Sequence, residues 1–168
     1  VLDFGWAPDS TRVAYLADDL VDGQANLWTT LPGQASATKV SQPFQLAASR
    51  ISDWAWAPDS TRIAYTGDAQ VIGERRITTV LPTSQLGRLT MTGNGDVKSF
   101  SWSPDSKRLG FLFDRGTLDG YVEVYTASPT VSQSMVQVSG YMTLNQYLLF
   151  VGDAQSFRWS SDSSRLVY

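Results

Sequence analysis

Hydrophobic and polar residues alternate in short runs along the whole chain of 168 residues. In the first run Phe4 and Trp6 alternate with small residues, a Pro-Asp-Ser segment follows, and Val13 and Tyr15 resume the alternation. A period of two on both sides of a short turn predicts two antiparallel strands joined as a hairpin. Helical periodicity is absent throughout, so the sequence predicts an all-β protein.

This hairpin recurs with almost the same sequence. The four copies read FGWAPDSTRVAY, WAWAPDSTRIAY, FSWSPDSKRLGF and FRWSSDSSRLVY, and their shared Trp stands at positions 6, 56, 102 and 159, that is, after 50, 46 and 57 residues. The single segment 1–168 therefore divides into repeats 1–50, 51–96 and 97–153, and 154–168 forms only the opening hairpin of a fourth.

Each full repeat also contains two further candidate strands. Runs rich in β-branched and aromatic residues span 26–31, 76–81 and 121–126, and shorter runs span 38–41, 87–92 and 135–139. Four short strands in roughly 50 residues are typical of a β-propeller blade. We therefore predict a β-propeller of four-stranded antiparallel blades, of which about 3.5 are present.

The repeated Trp, Pro and Asp residues are interpreted as structural. Proline presets the backbone of a turn, the Asp carboxylate accepts a nearby N–H, and Trp is expected to pack between blades. The repeated arginines, at positions 12, 62, 108 and 165, are predicted to lie on the hairpin surface beside acidic neighbours. The structural set is Trp6, Pro8, Asp9, Trp56, Pro58, Asp59, Trp102, Pro104, Asp105, Trp159 and Asp162.

The shared string, an aromatic residue, any residue, then Trp-Ala/Ser-Pro-Asp-Ser and Arg before an apolar strand, resembles the WD40-like β-propeller repeat of TolB-type periplasmic proteins. It is also similar to repeats in the propellers of prolyl oligopeptidase-type peptidases. The family usually has Gly after Pro-Asp, where this chain has Ser10, Ser60, Ser106 and Ser163. The resemblance implies a propeller fold and a periplasmic, cell-surface or secreted bacterial protein.

Composition excludes several kinds of chemistry. The chain has no His and no Cys, which excludes Ser-His-Asp and Cys-His catalysis, His- or thiolate-ligated zinc, iron–sulfur clusters and disulfides within it. Lys and Arg number 13 against 16 Asp and Glu, a net charge of −3 that gives no electrostatic basis for binding nucleic acid or an anionic membrane. No long apolar run or export leader is visible, so we expect a soluble chain without direct membrane insertion. We predict no enzymatic activity and no cofactor.

One loop is a candidate calcium site. Asp18, Asp19 and Asp22 precede Gly23, and alternating carboxylates followed by Gly can wrap Ca²⁺. Leu20 stands at one ligand position and no Glu follows at EF-hand spacing, so the alternative is a solvated acidic turn.

Antiparallel blades place their loops on two opposite faces. The Pro-Asp-Ser turns and the third turns share one face, which we call the turn face. The second turns and the links between blades share the other, the link face. The links vary most in length, and loops on a rigid scaffold are where binding is expected. The longest link, from Gly140, is strongly apolar, and its partner-binding candidates are Tyr141, Met142, Tyr147 and Phe150; the alternative is a buried strand or a plug of the core.

The leading hypothesis is a noncatalytic propeller that binds another protein through the link face. One alternative is the substrate-gating propeller of a larger peptidase-type enzyme, and another is a propeller that binds an ion or small ligand in a closed channel. Closed propellers have four to eight blades. The blades are therefore expected to be completed by the remainder of a longer chain or by a homodimer.

Overall fold

The computed structural model describes residues 1–18, 21–43, 49–68, 73–90, 95–115, 121–139 and 153–168. Within these ranges fourteen strands form three four-stranded sheets and one two-stranded sheet, every one antiparallel and in chain order. The predicted propeller of four-stranded blades is thereby confirmed. The strands are β1 Asp3–Trp6, β2 Val13–Asp18, β3 Ala25–Thr30, β4 Thr38–Lys39, β5 Ile51–Trp56, β6 Ile63–Gly67, β7 Arg76–Leu81, β8 Ser84–Thr90, β9 Asp96–Trp102, β10 Leu109–Asp114, β11 Val122–Ala127, β12 Val136–Gln137, β13 Arg158–Trp159 and β14 Leu166–Val167.

The fourth strands differ from their predicted ranges. β8 begins at Ser84, three residues early, because Leu81 pairs with Ser84 across a two-residue hairpin. β4 and β12 keep only two residues each. After β4 the N–H groups of Val40 and Ser41 both donate to the Leu27 carbonyl, so the regular ladder ends there. The Ser41 hydroxyl then accepts the Leu27 N–H at 3.2 Å, which satisfies a buried donor that the ladder no longer pairs.

The hydrophobic core lies between the sheets, in three clusters that correspond to the three blade–blade contacts. Leu27 of the first blade meets Tyr65 of the second, and Ile77 of the second meets Phe111 of the third. The last cluster joins Val124 to the fourth hairpin. Phe111 stacks on Tyr125 at a centroid distance of 5.9 Å, and both rings belong to the cluster between the second and third blades.

The four repeated Trp residues occupy different environments. Trp102 is buried in the contact between the second and third blades, and Trp56 and Trp159 are half-buried. Trp6 is 51 % exposed, because it lies on the outer side of the first sheet, where no described blade precedes it. Trp56, Trp102 and Trp159 therefore contact the preceding blade, whereas Trp6 is exposed.

The described residues include no helix that is both long enough and hydrophobic enough to span a membrane.

Candidate functional site

The turn face is built from four nearly identical turns. In each, the turn serine adopts a left-handed backbone, with φ between 60° and 63° at Ser10, Ser60, Ser106 and Ser163. The aspartate carboxylate accepts the N–H two residues further on, as at Asp9 with Thr11 at 3.0 Å. The turn therefore keeps the conformation for which Gly is usually chosen, at the conformational cost of a non-glycine residue with positive φ.

In three of the four turns the serine hydroxyl connects the turn to the preceding blade. Ser60 Oγ accepts the N–H of Asp9 at 3.0 Å, and Ser106 Oγ accepts that of Asp59 at the same distance. Ser163 Oγ accepts the Asp105 N–H at 2.9 Å. Glycine has no acceptor to offer here, so the Ser that replaces it adds one hydrogen bond per blade contact.

Two further bonds cross each described contact between complete blades. The Trp56 indole N–H donates to the Gly5 carbonyl at 3.3 Å, and Trp102 repeats this with Ala55 at 3.2 Å. The Thr79 hydroxyl donates to the carbonyl of Pro129 in the following blade at 2.8 Å. Thr29 makes the equivalent bond to Pro82. The polar groups of the turn face are thus largely used to hold blades together.

Three of the turn aspartates, Asp9, Asp105 and Asp162, have a lowered pKa because they accept local hydrogen bonds. Hydrogen bonds from the Ser160 hydroxyl and from Ser164 lower the pKa of Asp162 to about 2. Bonds from the Thr11 backbone and hydroxyl likewise lower the pKa of Asp9. These carboxylates accept local bonds, which is the chemistry of a turn rather than of a proton donor.

Two of the repeated arginines, Arg62 and Arg108, contact polar or aromatic groups of the blades. The Arg108 guanidinium lies 5.1 Å from the centroid of the Trp159 ring and donates to the Ser163 carbonyl. Arg62 is partly buried, reaches the Thr79 hydroxyl at 3.4 Å, and has a pKa lowered by burial. Arg108 is exposed on the hairpin, and in the described part of the chain its guanidinium lies beside an aromatic face rather than a carboxylate.

The link face carries a concavity of about 490 Å³ at the second blade. Asp68, which is only 9 % exposed, shapes its wall. Its carboxylate accepts the Arg50 N–H at 2.9 Å and the Gly73 N–H at 3.4 Å, so one side chain holds both the incoming link and the second turn. The concavity is lined by Arg50, Ile51, Ser52, Asp68, Gly73 and Arg75.

Arg75 is fixed at one side of this concavity by the third blade. Its Nε donates to Asp96 Oδ1 at 2.8 Å and a terminal nitrogen donates to Oδ2 at 3.3 Å. Lys98 joins the same carboxylate at 2.9 Å and reaches Asp114 at 3.3 Å. Burial alone would raise the pKa of Asp96, but hydrogen bonds from Arg75 and Lys98 outweigh it and lower that pKa. The bond from Asp96 raises the pKa of Arg75, which remains a cation.

Arg50 lines the same concavity, and its side chain is more exposed than that of Arg75. Over the described ranges its guanidinium has neither an acidic partner nor a hydrogen bond; only its backbone groups are bonded, to Asp68. The concavity is therefore lined by two arginines. Arg75 is paired with Asp96, whereas Arg50 has no acidic partner among the described residues.

A second polar cluster is buried in the third blade. Tyr125 donates to Glu123 at 2.7 Å, the Gln137 amide donates to the other oxygen of Glu123 at 2.8 Å, and the Arg115 guanidinium lies 5.3 Å from the Tyr125 ring centroid. Burial and the bond to Glu123 raise the pKa of Tyr125, so the phenol stays protonated as a donor. The cluster ties β10, β11 and β12 together.

Of the other sequence candidates, only Asp18 and Asp22 lie within the described residues. No three His, Cys, Asp or Glu side chains converge as a metal site in the described part of the chain. Asp19 lies outside the described residues, as do the partner-binding candidates Tyr141, Met142, Tyr147 and Phe150.

The concavity on the link face was not predicted from the sequence. Arg50 ends one repeat, and Asp68 and Arg75 flank the second turn of the next. The only available signal was the presence of charges at both the link and the second turn of one blade.

The chain is similar in structure to solved propellers. It superposes on "The structure of putative TolB from Agrobacterium tumefaciens" with a TM-score of 0.59 and 17 % identity, over 83 % of this chain and 46 % of that one. For TolB from Acinetobacter baumannii the TM-score is 0.56 at 17 % identity, over 96 % and 35 %. For an oligogalacturonate lyase in complex with manganese it is 0.58 at 17 % identity, over 93 % and 41 %. No protein-family model and no curated protein matches the chain.

Fold and contacts together define a β-propeller scaffold with a polar turn face and a concave link face. The fold is the one found in these solved structures, which include two TolB proteins and a lyase. The chain spans less than half the length of the solved structures named above.

Proposed function

We propose that this chain is a noncatalytic β-propeller scaffold that binds another protein through its link face. The observation that carries the proposal is the concavity at Arg50, Asp68 and Arg75, whose charged side chains lie at the edge of a packed blade. The hydrogen bonds of the turn face, in contrast, join one blade to the next. Binding groups on a loop held by a packed scaffold are the usual arrangement for recognition.

The charges at the concavity favour a partner segment that carries carboxylates. Arg75 is already neutralised by Asp96, whereas Arg50 has no acidic partner in the described part of the chain. An arginine that is free to form a bidentate pair with a carboxylate gives both geometry and affinity. Arg50 is therefore the residue on which we expect the partner to depend most.

We further propose that binding needs no cofactor and that the protein acts in a periplasmic, cell-surface or secreted setting. The absence of His and Cys from the sequence supports a noncatalytic role. So does the Glu123–Tyr125 pair, whose groups are bonded to each other and to Gln137. The setting is supported by the resemblance of the repeats to TolB-type proteins.

The proposal is tested by placing a photo-crosslinking residue at Ser52, on the link face, and at Thr61, on the turn face, of the protein in its source cells. We expect one partner to be captured from position 52 and not from position 61. The purified partner should then bind the Arg50→Glu variant at least tenfold more weakly, about 1.4 kcal/mol, because its carboxylate meets a like charge.

Lys107→Glu is the matched control, since Lys107 is an exposed cation on the turn face. Equal binding by both variants, or capture only from position 61, would place the interaction elsewhere and overturn the proposal.

A further inference from the structure

The three full repeats end at Arg50, Asp96 and Asp153, and the two aspartates have the same structural role. Asp96 Oδ1 accepts the Arg75 N–H at 3.2 Å, and Asp153 Oδ1 accepts the Val122 N–H at 3.1 Å. Each aspartate thereby ties the link that it ends to the start of the third strand in the blade before it. A guanidinium has no acceptor to offer, so this repeated contact does not account for an arginine at position 50.

The third blade fills the equivalent place with its own charges. Strands β5 and β9 are each interrupted by a bulge at the same point, at Ser52 and at Lys98. The Lys98 ammonium joins Asp96, at 2.9 Å, to Asp114, at 3.3 Å. The Ser52 side chain is too short for such a bridge. The second blade therefore leaves open, beside Arg50, a place that the third blade closes with a lysine.

Asp68 makes this place selective among anions. Its carboxylate accepts the Arg50 N–H at 2.9 Å and the Gly73 N–H at 3.4 Å, and both arginine and aspartate line the same concavity. An anion paired with the Arg50 guanidinium therefore meets a second carboxylate, and like charges close together disfavour each other. An anion with its own N–H beside it avoids this cost, because each carboxylate oxygen of Asp68 can accept a further bond.

The C-terminal residue of a polypeptide has these two groups in a fixed relation. Its carboxylate and its amide N–H are attached to the same α-carbon, whereas the carboxylate of an Asp or Glu side chain is separated from the backbone by rotatable bonds. Capture of a C-terminal carboxylate is a recurring mode of peptide recognition. The volume of about 490 Å³ is that of a small-ligand pocket, which suits the end of a chain better than a segment that passes through.

We infer that the partner segment bound in this concavity is a free C-terminus. Its carboxylate pairs with the Arg50 guanidinium, and its last amide N–H donates to the Asp68 carboxylate. Arg75, which Asp96 holds in place, adds a fixed positive charge to the same wall. The inference rests on the function proposed above, which requires only that the partner carries a carboxylate at the link face.

The test is a titration of the purified chain with short peptides, followed by NMR at the Gly73 N–H and the Arg50 side chain. Acetyl-trialanine with a free C-terminus should shift both signals and saturate at millimolar concentration. Its C-terminal amide has no carboxylate, and acetyl-Ala-Ala-Asp amide has one only in a side chain. We expect each of these two to bind about tenfold more weakly, because the charge-assisted pair is lost or misplaced.

Methylation of the last amide nitrogen of the free acid tests the bond to Asp68 without changing the protein. The methylated peptide has the carboxylate but no N–H donor, so it should bind about fivefold more weakly. A methylated peptide that binds as tightly as its parent would overturn the bond to Asp68.

Arg50→Gln should abolish the preference for the free acid. Lys107→Gln is the matched control, since Lys107 is an exposed cation on the turn face, and it should leave that preference unchanged. Arg50 is also exposed, so its variant should keep the fold, and circular dichroism checks this.

Equal binding of the free acid and the Asp amide, or no saturable shift with any of the peptides, would overturn the inference. Either result would leave the proposed function standing, since capture from position 52 depends on the partner and not on which of its carboxylates is bound. Capture from position 61 alone would instead overturn the proposed function, whatever the peptides do.

Discussion

At the scale of the residue, the serine that ends each Pro-Asp turn makes two opposing contributions. Its left-handed backbone costs about 1–2 kcal/mol relative to a right-handed one. Its hydroxyl accepts an N–H from the neighbouring blade, and such a bond contributes about 1 kcal/mol. The two effects are similar in size, so the serine gains attachment between blades at little net cost to the turn.

Ser106 allows these effects to be separated. Ser106→Ala removes the bond from Asp59 but retains a Cβ at φ 62°, so we expect a loss of about 1 kcal/mol in the free energy of unfolding. Ser106→Gly removes the same bond but relieves the backbone, so it should be closer to the native protein than Ala is. Urea denaturation of the three proteins measures this order. An alanine variant as stable as the native protein would show that the hydroxyl contributes nothing.

At the scale of the element, strand β9 depends on the conformation of the residue before it. Gly95 has φ 135°, and a Cβ there would lie 2.4 Å from the Asp114 carbonyl oxygen and 2.5 Å from the Phe113 ring. Neither neighbour can retreat easily, because Phe113 is buried and Asp114 is paired with Asp96 in the sheet. A glycine is therefore required for β9 to run beside β10 at this point.

Gly95→Ala should consequently lower the free energy of unfolding by about 3 kcal/mol or more, since backbone strain and overlap act together. Gly33→Ala is the matched comparison, because Gly33 also has a positive φ, 75°, but nothing within 4 Å of an added Cβ. It should cost only about 1 kcal/mol. Thermal denaturation of both variants checks the difference, and equal losses would contradict the steric argument.

At the scale of the whole molecule, each blade is stabilised by its neighbours. The second and third blades have a packed contact on both sides, with cores around Leu27, Phe111 and Val124. The first blade and the fourth hairpin each have such a contact on one side only within the described residues. Repeat proteins with nearest-neighbour contacts are most stable where both neighbours are present.

Amide hydrogen exchange should therefore be slowest in the central strands β6, β7 and β10 and fastest in β1 and β13–β14. The measurement is native-state exchange of the purified chain at low protein concentration. Slow exchange in β1 equal to that in β7 under those conditions would contradict a gradient set by neighbouring blades.

Much of this fold was predictable because its information is local. The four hairpins follow from alternation around Pro-Asp-Ser, or Ser-Asp-Ser in the fourth, and the third strands lie within one residue of the predicted ranges. The start of β8 was missed because the pairing of Leu81 with Ser84 depends on a two-residue turn rather than on the strand pattern. The concavity at Arg50, Asp68 and Arg75 was missed because these residues come from separate segments that only the packed blade brings together.

The sequence by itself determined the repeat, the blade as its unit and the absence of His and Cys chemistry, because spacing and composition are properties of the linear chain. Only the tertiary structure decided which serine meets which aspartate, that Arg108 lies on Trp159, and that Arg50 and Arg75 face one depression. These contacts join residues brought together by the rotation from one blade to the next, and that rotation is set by packing between sheets.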